Sequence, residues 1–327
     1  MPGSERARNG LKLFITVAVS LAFGLLFIRS IDIDDVLSSL RGANYALVVP
    51  ALALFACSVA FRSLRWRAFL LPTDDLSWRD LLPSVLIGYA GNNLLPLRAG
   101  ELVRAQHLSD HFGVPRMRTL GALLMERLFD GAVLSAFLLW GLVIDDAGAG
   151  FLTAGVILAL GAAAGFVLCT AAALNPGLPA KIAALPVPMP ARLRQEISGL
   201  GGSFFAGFSV MTRLSSFTLA AASSLAAWAL ELAMYWLIAE GFDLEASVSA
   251  VAFAGAAANV SLSLPLAQGG FGAFEVFATR ALQEFDVAKS AAAAYALALH
   301  FFLIVPVSVI GLIVLWRSTI ATPATRH

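Results

Sequence analysis

The amino-acid sequence predicts an all-α integral membrane protein, a polytopic bundle of helices. Of the 327 residues, 59% are hydrophobic and 13% are charged, whereas soluble domains carry about 25% charged residues because their surfaces face water. The mean hydropathy is +0.83. Several apolar runs reach the roughly 20 residues that a helix needs to cross a bilayer. This composition excludes a soluble globular fold.

Six segments are long and apolar enough to be full spans. They cover residues 11–28, 45–61, 119–143, 151–173, 217–239 and 291–315. The first segment is longer than the apolar region of a signal peptide, and no small-residue cleavage site follows it. We therefore expect it to be retained as the first span.

Two further apolar regions, 80–118 and 247–282, are interrupted by Pro, Gly and polar residues. Non-helical backbone is tolerated at membrane depth only where protein buries it or where it lines water. We therefore interpret each region as a re-entrant helical hairpin. The alternative is two short ordinary spans in each region, joined by a Pro-Gly turn, which would give the chain eight or more spans.

The distribution of Lys and Arg predicts the orientation, because cytoplasmic loops carry an excess of both residues. It places the N- and C-termini in the cytoplasm, with Arg62, Arg65 and Arg67 in a cytoplasmic loop of a protein in the cell (inner) membrane. The loops alternate correctly between the two sides of the membrane only if each hairpin enters and leaves on the same side, the first from the cytoplasm and the second from outside. Similar broken segments that enter from opposite faces are typical of an inverted-repeat transporter.

The whole chain, 1–327, is then a single transmembrane domain. Its parts are a first half (1–173, with the hairpin 80–118), a linker (174–216) and a second half (217–327, with the hairpin 247–282). The linker begins with the Pro-rich sequence "NPGLPAKIAALPVPMP" and becomes mildly amphipathic. We expect it to lie along the membrane surface.

Other features of the sequence argue against several classes of function. The net charge is +1 and there is no long basic segment, so we expect no nucleic-acid partner. Cys57 and Cys169 lie in apolar runs and are not expected to form a disulfide. His107 and His111 are four residues apart, but no third ligand is evident, so we expect no metal and no cofactor. The oligomeric state cannot be predicted from the sequence.

Three motifs follow one another along the chain. They are "GYAGNNLLPLRAGELVRA" at 88–105, "ERLFDG" at 126–131 and "LPLAQGGFGAFE" at 264–275. In this order they resemble the flippase-like transmembrane domain of lysylphosphatidylglycerol synthase, the multiple-peptide-resistance-factor family, as found in its stand-alone members. The resemblance extends over nearly the whole chain.

The resemblance implies movement of a lipid headgroup between leaflets rather than an enzymatic activity. In two-domain relatives a soluble C-terminal domain transfers an aminoacyl group from tRNA to lipid, and this sequence contains no counterpart of that domain. Relatives are linked to aminoacylated phosphatidylglycerol, polyisoprenyl-phosphate sugars and hopanoids. The resemblance therefore leaves the headgroup, the direction and the energy source open.

The candidate headgroup-binding residues are polar side chains in apolar segments, where such residues are costly and usually functional. They are Asn92, Asn93, Arg98 and Glu101 in the first hairpin, Glu126, Arg127 and Asp130 in the third span, and Asn259, Gln268, Gly270, Glu275 and Arg280 in the second hairpin.

Arg98 is the candidate phosphate ligand, because a guanidinium can donate two parallel hydrogen bonds to a phosphate. The alternative is that Arg98 and Arg104 extend to the cytoplasmic surface. Glu126 and Asp130 lie on one helical face, and we expect Arg127 to lie between them in an ion-pair network. This network either lines a polar groove or joins helices as a structural salt bridge.

Two further acids carry specific expectations. Glu275, with Arg280, is expected to mirror Glu101 and Arg98 from the outer face; the alternative is a helix cap and a surface ion pair. Glu231 is the most isolated charge in the fifth span and is the candidate for proton coupling, because a buried carboxyl group can take up and release a proton. The alternative is a hydrogen bond from Glu231 to a neighbouring helix.

The leading hypothesis is a lipid transporter that moves a phosphate-containing or otherwise polar headgroup through a groove while the acyl tails stay in the membrane. The alternative is an integral membrane enzyme, or an accessory scaffold, that acts on phospholipid or polyisoprenyl-phosphate substrates. The expected partners are the membrane lipid itself and, for a scaffold, a lipid-modifying enzyme.

Overall fold

The computed structural model describes residues 21–71, 76–144, 149–175, 177–183, 200–263 and 268–321, which are mostly helical. In chain order the helices are α1 (Leu21–Ser30), α2 (Ile33–Gly42), α3 (Val48–Leu70), α4 (Trp78–Leu94), α5 (Gly100–Phe112), α6 (Arg116–Ile144), α7 (Ala149–Ala173), α8 (Leu178–Ala183), α9 (200–206), α10 (Leu214–Gly241), α11 (Val248–Ser263), α12 (Ala273–Gln283) and α13 (Lys289–Ala321). Short 3-10 turns lie at Tyr45–Leu47, Pro96–Arg98, Ser209–Thr212 and Gln268–Gly270. The predicted all-α fold class is confirmed.

Five helical segments of the described chain are long and apolar enough to cross a membrane. They are Tyr45–Leu70, Arg116–Ile144, Thr153–Ala173, Leu214–Gly241 and Lys289–Ser318. At a rise of about 1.5 Å per residue, each covers the roughly 30 Å of a hydrocarbon core. They correspond to five of the six predicted spans. Most of the first predicted span, 11–28, lies outside the described residues.

Each interrupted region forms two helices that pack on each other and flank a 3-10 turn, as the hairpin interpretation predicts. The helices α4 and α5 have 17 and 13 residues, and α11 and α12 have 16 and 11. All four are shorter than the roughly 20 residues of a full span. At the start of α4, hydrogen bonds from the Ser77 hydroxyl and backbone N–H to the Asp80 carboxylate lower the pKa of Asp80 and fix the first turn.

The two helices of the first hairpin touch through glycine. Gly100 begins α5 so close to α4 that a Cβ on it would meet the Gly88 carbonyl oxygen and the Asn92 amide nitrogen. Gly91 faces it from α4, where an added Cβ would lie 2.6 Å from the Gly100 Cα. This contact is open only to residues without a side chain, and it holds the polar end of α4 beside the first turn of α5.

The order span, hairpin, span occurs twice, as α3, α4–α5, α6 and as α10, α11–α12, α13. The two leading spans run antiparallel. Asn44 N, before α3, donates to Gly241 O at the end of α10 (2.7 Å), whereas Arg65, late in α3, donates to Ser224 in the first half of α10 (3.3 Å). The helix α4 packs on α13 and α6 packs on α11. The two halves are therefore arranged as an inverted repeat.

The predicted surface linker, 174–216, contains two buried apolar residues where the structure describes it. Phe208 and Val210 are buried, with 3% and 0% of their surface exposed. They belong to the apolar core that α3, α4 and α6 share. These two buried positions could not be recognised from the sequence, because the helices that bury them lie far away along the chain.

We expect Gly100→Ala to destabilise the protein by about 1–3 kcal/mol, because the added methyl group overpacks the contact between α4 and α5. Thermal unfolding of the purified protein in detergent measures this effect. The matched control is Gly161→Ala, since a Cβ on Gly161 of α7 would meet nothing within 4 Å. Equal melting temperatures for the two variants would contradict the close approach.

The inverted repeat predicts that the outer ends of the two hairpins lie on opposite sides of the membrane. Asp110, near the end of α5, and Glu284, after α12, are both exposed. In a Cys57→Ser background, we expect Asp110→Cys and Glu284→Cys to react with a membrane-impermeant maleimide from opposite faces, in whole cells and in inverted vesicles. Labelling of both from one face would contradict the repeat.

Candidate functional site

Six buried side chains of alternating charge form a connected series, the charge chain, between α3, α5, α6 and α10. In order they are Glu231, Arg62, Asp130, Arg65, Glu126 and Arg104, joined by contacts of 2.6, 3.6, 2.6, 3.0 and 3.1 Å. None of these side chains is more than 10% exposed. The three guanidinium groups balance the three carboxylates, so the charge chain has a formal charge of zero.

Arg65 bridges two acids of the charge chain, Asp130 and Glu126. Its Nη1 lies 2.6 Å from Asp130 Oδ1 and its Nη2 lies 3.0 Å from Glu126 Oε1. Glu126 and Asp130 do share one face of α6, as predicted. The expectation that Arg127 lies between them is wrong, because Arg127 turns to Glu101 instead (2.9 Å). The predicted network exists, but its cation comes from a helix about 60 residues earlier.

Two tryptophans support the charge chain by hydrogen bonds and ring contacts. Trp66 Nε1 donates to Glu126 Oε2 (2.6 Å) and Trp228 Nε1 donates to Asp130 Oδ1 (2.9 Å). The same two rings receive guanidinium groups, with Arg104 3.7 Å from the Trp66 centroid and Arg62 4.6 Å from the Trp228 centroid. Each buried ion thus has several partners, which compensate part of its lost hydration.

Glu231 is not the isolated charge that the sequence indicated. Its Oε2 contacts Arg62 Nη2 (2.6 Å) and accepts from Ser58 Oγ (3.3 Å), and its Oε1 accepts from Tyr235 Oη (2.6 Å). Both carboxylate oxygens are therefore occupied. The alternative of a bond to a neighbouring helix is the arrangement found, and it takes the form of an ion pair.

A second cluster, the cavity triad, consists of Arg98, Glu101 and Arg127. Glu101 Oε1 lies 3.5 Å from Arg98 Nε and 2.9 Å from Arg127 Nη2. The three side chains keep 25%, 28% and 34% of their surface exposed, respectively. Two guanidinium groups share one carboxylate, so the cavity triad carries one unbalanced positive charge.

Arg98 adopts a left-handed backbone conformation, with φ at 57°. This conformation is uncommon for residues other than glycine and carries a cost in strain. It directs the guanidinium across to the second hairpin, where Nη1 donates to the Leu262 carbonyl oxygen at 2.6 Å. Arg98 therefore joins the two hairpins at the end of α4.

A cavity of about 180 Å³ lies where the two hairpin turns approach each other. Its polar wall includes the cavity triad's Arg98 and Arg127, one end of the charge chain, and the side chains of Tyr89, Asn92, Asn93 and Asn259. Its apolar wall includes Phe55, Leu134, Leu303, Ile304 and Val307. The cavity is thus amphipathic, because charged, polar and apolar side chains all line it.

The structure brings most of the predicted headgroup residues to this cavity. Those on its wall are Asn92, Asn93, Arg98, Arg127, Asp130, Asn259 and Gly270, together with Glu231. Glu101 and Glu275 do not line the cavity but contact residues that do, Arg127 and His300. Glu126 contacts Arg65 and Arg104, which do not line it. Gln268 belongs to the 3-10 turn at the cavity.

The expected pairing of Glu275 with Arg280 is wrong. Arg280 is exposed on α12 and is not among the residues that line the cavity. Glu275 instead accepts a hydrogen bond from Gly272 N (2.8 Å) and contacts His300 Nδ1 (2.6 Å). The helix cap that the sequence offered as an alternative is present, but its second partner is a histidine of α13.

Several site residues were missed or misplaced by sequence reasoning. Arg62, Arg65 and Arg104 were assigned to the cytoplasmic surface and are buried; Tyr89, Trp228 and His300 were not singled out. The sequence does contain a signal that could have identified Arg62 and Arg65. They lie three residues apart, on one face of a helix that runs to Leu70 rather than to residue 61, so they could have been predicted to reach the acids of α6.

These features define a polytopic membrane protein with a charged, amphipathic cavity between two inverted halves. The sequence model of one protein family, described as the lysylphosphatidylglycerol synthase TM region, matches residues 13–311. The chain belongs to this family, which confirms the resemblance carried by the three motifs. Membership places it among multi-pass membrane domains with a lipid-related function.

Among curated proteins, the chain is similar to the glycosyltransferase AglD of Haloferax volcanii, with 29% identity over 298 residues. The alignment covers 81% of this chain and 47% of the relative. The chain therefore spans about half the length of the curated relative that it matches.

We expect Glu126→Ala to destabilise the protein by about 3–5 kcal/mol, because it leaves Arg65 and Arg104 buried without their shared carboxylate. Thermal unfolding in detergent measures the change. Asp110→Ala is the matched control, since Asp110 is exposed and its carboxylate accepts hydrogen bonds from Gln106 of the same helix. An unchanged melting temperature for Glu126→Ala would show that the charge chain contributes little.

Proposed function

We propose that the protein moves a lipid with a phosphate-containing headgroup between the leaflets of the cell membrane. The headgroup occupies the cavity between the hairpins while the acyl tails remain in the surrounding lipid. The observation that carries this proposal is the unbalanced positive charge of the cavity triad, Arg98, Glu101 and Arg127.

The distribution of charge explains why a phosphate fits. The charge chain is neutral by itself and its members are at most 10% exposed, so it offers little free charge to a ligand. The cavity triad is the more exposed cluster, and its two guanidinium groups share one carboxylate. A phosphate completes the pairing, because each guanidinium can donate to it in parallel hydrogen bonds.

The apolar wall accounts for the rest of the lipid. Leu303, Ile304 and Val307 of α13 face the same cavity as Arg98 and Arg127. A headgroup held by the cations therefore has apolar surface beside it for the part of the lipid where the tails begin. The main barrier to crossing a membrane is the desolvation of the headgroup, and this arrangement lowers it without enclosing the tails.

The inverted repeat suits alternating access. The cavity is lined by both halves, by α3, α4 and α6 from the first and by α10, α11 and α13 from the second. When two halves are related by inversion, a rocking motion that opens the cavity to one face has a counterpart that opens it to the other. The predicted cytoplasmic termini say which face of the protein lies inside the cell, but they leave open whether the lipid moves inward or outward.

A membrane enzyme acting on phospholipid or polyisoprenyl-phosphate substrates is the second candidate. It is favoured by the contact of Glu275 with His300, a residue that lines the cavity, since histidine paired with a carboxylate serves in general base catalysis. The similarity to a protein named a glycosyltransferase also supports it, although this chain covers only about half of that protein. An accessory role beside a lipid-modifying enzyme is a variant of this candidate.

Both functions predict distinct products in one assay. The purified protein is reconstituted in phosphatidylcholine liposomes that contain traces of fluorescent phosphatidylglycerol, a fluorescent polyprenyl phosphate or a fluorescent neutral glycolipid. Transport moves a phosphate lipid to the other leaflet with its mass unchanged and leaves the neutral glycolipid largely in place. A change in the mass of the lipid would favour the enzyme instead.

We expect Arg98→Gln and Arg127→Gln each to slow this transfer by about tenfold to hundredfold. Loss of one charge-assisted hydrogen bond costs about 1.5–3 kcal/mol, and both variants also remove the unbalanced positive charge. The transfer rate in the liposomes is the measurement. Arg280→Gln, which removes an exposed arginine outside the cavity, should transfer lipid at the wild-type rate.

Thermal unfolding in detergent is run in parallel, so that a slow variant is counted only if its melting temperature matches the wild type. Normal transfer by both folded cavity variants would contradict a headgroup site at the cavity triad.

A further inference from the structure

We propose that Glu275 and His300 form a proton-binding site that latches the turn of the second hairpin to α13. Its coupling to lipid movement rests on the function proposed above. The site would bind one proton and release it as the cavity changes state, so that a proton gradient could drive the headgroup across.

The number of hydrogens required by the observed contacts carries this inference. His300 Nδ1 lies 2.6 Å from Glu275 Oε1 and Nε2 lies 3.0 Å from the Gly269 carbonyl oxygen. A carbonyl oxygen and an ionised carboxylate can only accept, and a neutral imidazole has a single N–H. A neutral histidine beside an ionised glutamate therefore supports one of the two hydrogen bonds. Both contacts form together only when the pair carries one additional proton.

The proton belongs to the pair rather than to either residue. It can reside on the imidazole, which then donates from both nitrogens, or on Glu275, which then donates to Nδ1 while Nε2–H donates to Gly269. The side chains of His300 and Glu275 are 2% and 5% exposed. The two contacts therefore match the proton-loaded form of a buried site.

The histidine ring is held by contacts other than the turn. It stacks on Phe274, with centroids 4.3 Å apart and the planes 15° from parallel. Glu275 is fixed in turn by the hydrogen bond from Gly272 N (2.8 Å), which caps α12. When the proton leaves, the ring and the carboxylate stay in place, and the charge-assisted contact to Glu275 outlasts the contact to a neutral carbonyl.

Loss of the proton therefore releases the turn. An unprotonated Nε2 would face the Gly269 carbonyl oxygen with no hydrogen between them. The turn can respond because Gly269 and Gly270 both have positive φ, 56° and 76°, in a region that glycine enters at little cost. A side chain on Gly269 would lie 3.1 Å from the Asn93 carbonyl oxygen of the first hairpin. Movement of this turn would thus alter the contact between the two hairpins.

Apart from Tyr89, whose buried hydroxyl makes no hydrogen bond to the described residues, the other titratable groups near His300 are already paired or lie at the surface. The titratable residues that line the cavity with His300 are Arg62, Tyr89, Arg98, Arg127, Asp130 and Glu231. The helices α1 and α2 pack beside α13, and the charged residues on and next to them are exposed: Arg29, Asp32, Asp34, Asp35 and Arg41. The helix α11 contains no titratable residue. Glu231, the proton site expected from the sequence, has the permanent cation Arg62 2.6 Å away, whereas the partner of Glu275 is a histidine. The pair of Glu275 and His300 is therefore the better proton site.

The transport test imposes a pH difference across the liposomes of the preceding assay. If one proton moves with each lipid, a gradient of one pH unit should change the ratio of labelled phosphatidylglycerol between the leaflets by up to about tenfold. We expect His300→Gln and Glu275→Gln to abolish this response. The matched control His111→Gln, a histidine of α5 outside the cavity, should keep it.

A second measurement does not depend on transport. Nitrogen-15 NMR of the detergent-solubilised full chain, with labelled histidine, identifies the His300 signal as the one that His300→Gln removes. We expect the chemical shift of this signal, followed between about pH 5 and pH 8 where histidine changes charge, to report uptake of a proton, and we expect Glu275→Gln to alter this pH dependence. A signal that is unchanged across this range would overturn the proton site.

The two measurements separate the two proposals. A titrating His300 signal without any lipid transfer by the wild type would reject the proposed transport and retain the proton site. Lipid transfer that ignores the pH gradient, or that keeps its response in His300→Gln, would reject the coupling and retain the transport.

Discussion

The low dielectric of the membrane interior is the constraint on which the rest of this structure depends. An ion moved from water into such surroundings loses several kcal/mol of hydration unless opposite charges and hydrogen bonds replace it. Six ionisable side chains are nevertheless buried between α3, α5, α6 and α10, and each one touches a neighbour of opposite sign. The alternation fixes the positions of these four helices relative to one another, because no member can move without leaving an unpaired ion.

The same constraint separates the part of the interior that stabilises from the part that can bind. Charges that cancel one another have little attraction left for a ligand, whereas the excess cation of Arg98, Glu101 and Arg127 attracts an anion at a place where a cavity is open. The left-handed backbone at Arg98 and the glycine contacts of the hairpins place that excess charge where the two halves meet. Binding capacity therefore arises from a local imbalance in an otherwise neutral interior.

Hydropathy, together with the positions of Pro and Gly, was sufficient to predict five of the spans, the two interrupted regions and many of the polar residues that line the cavity. Asn92, Arg98 and Asn259 could be selected because a polar residue in an apolar segment stands out. Pairing could not be predicted in the same way. Arg65 and Glu126 are 61 residues apart, and Arg62 and Glu231 are 169 apart, so only the packing of α3 on α6 and α10 reveals them as partners. Because Lys and Arg are expected in cytoplasmic loops, Arg62 and Arg65 were predicted to face water.

The position of these two arginines has a consequence for biogenesis. Their helix α3 emerges from the ribosome well before Glu126, Asp130 and Glu231 have been synthesised, so at first no acid is present to neutralise it within the bilayer. The burial of Arg62 and Arg65 therefore depends on α6 and α10, which supply those acids. The contacts that neutralise one of the first helices to be made are completed only when helices made much later pack against it.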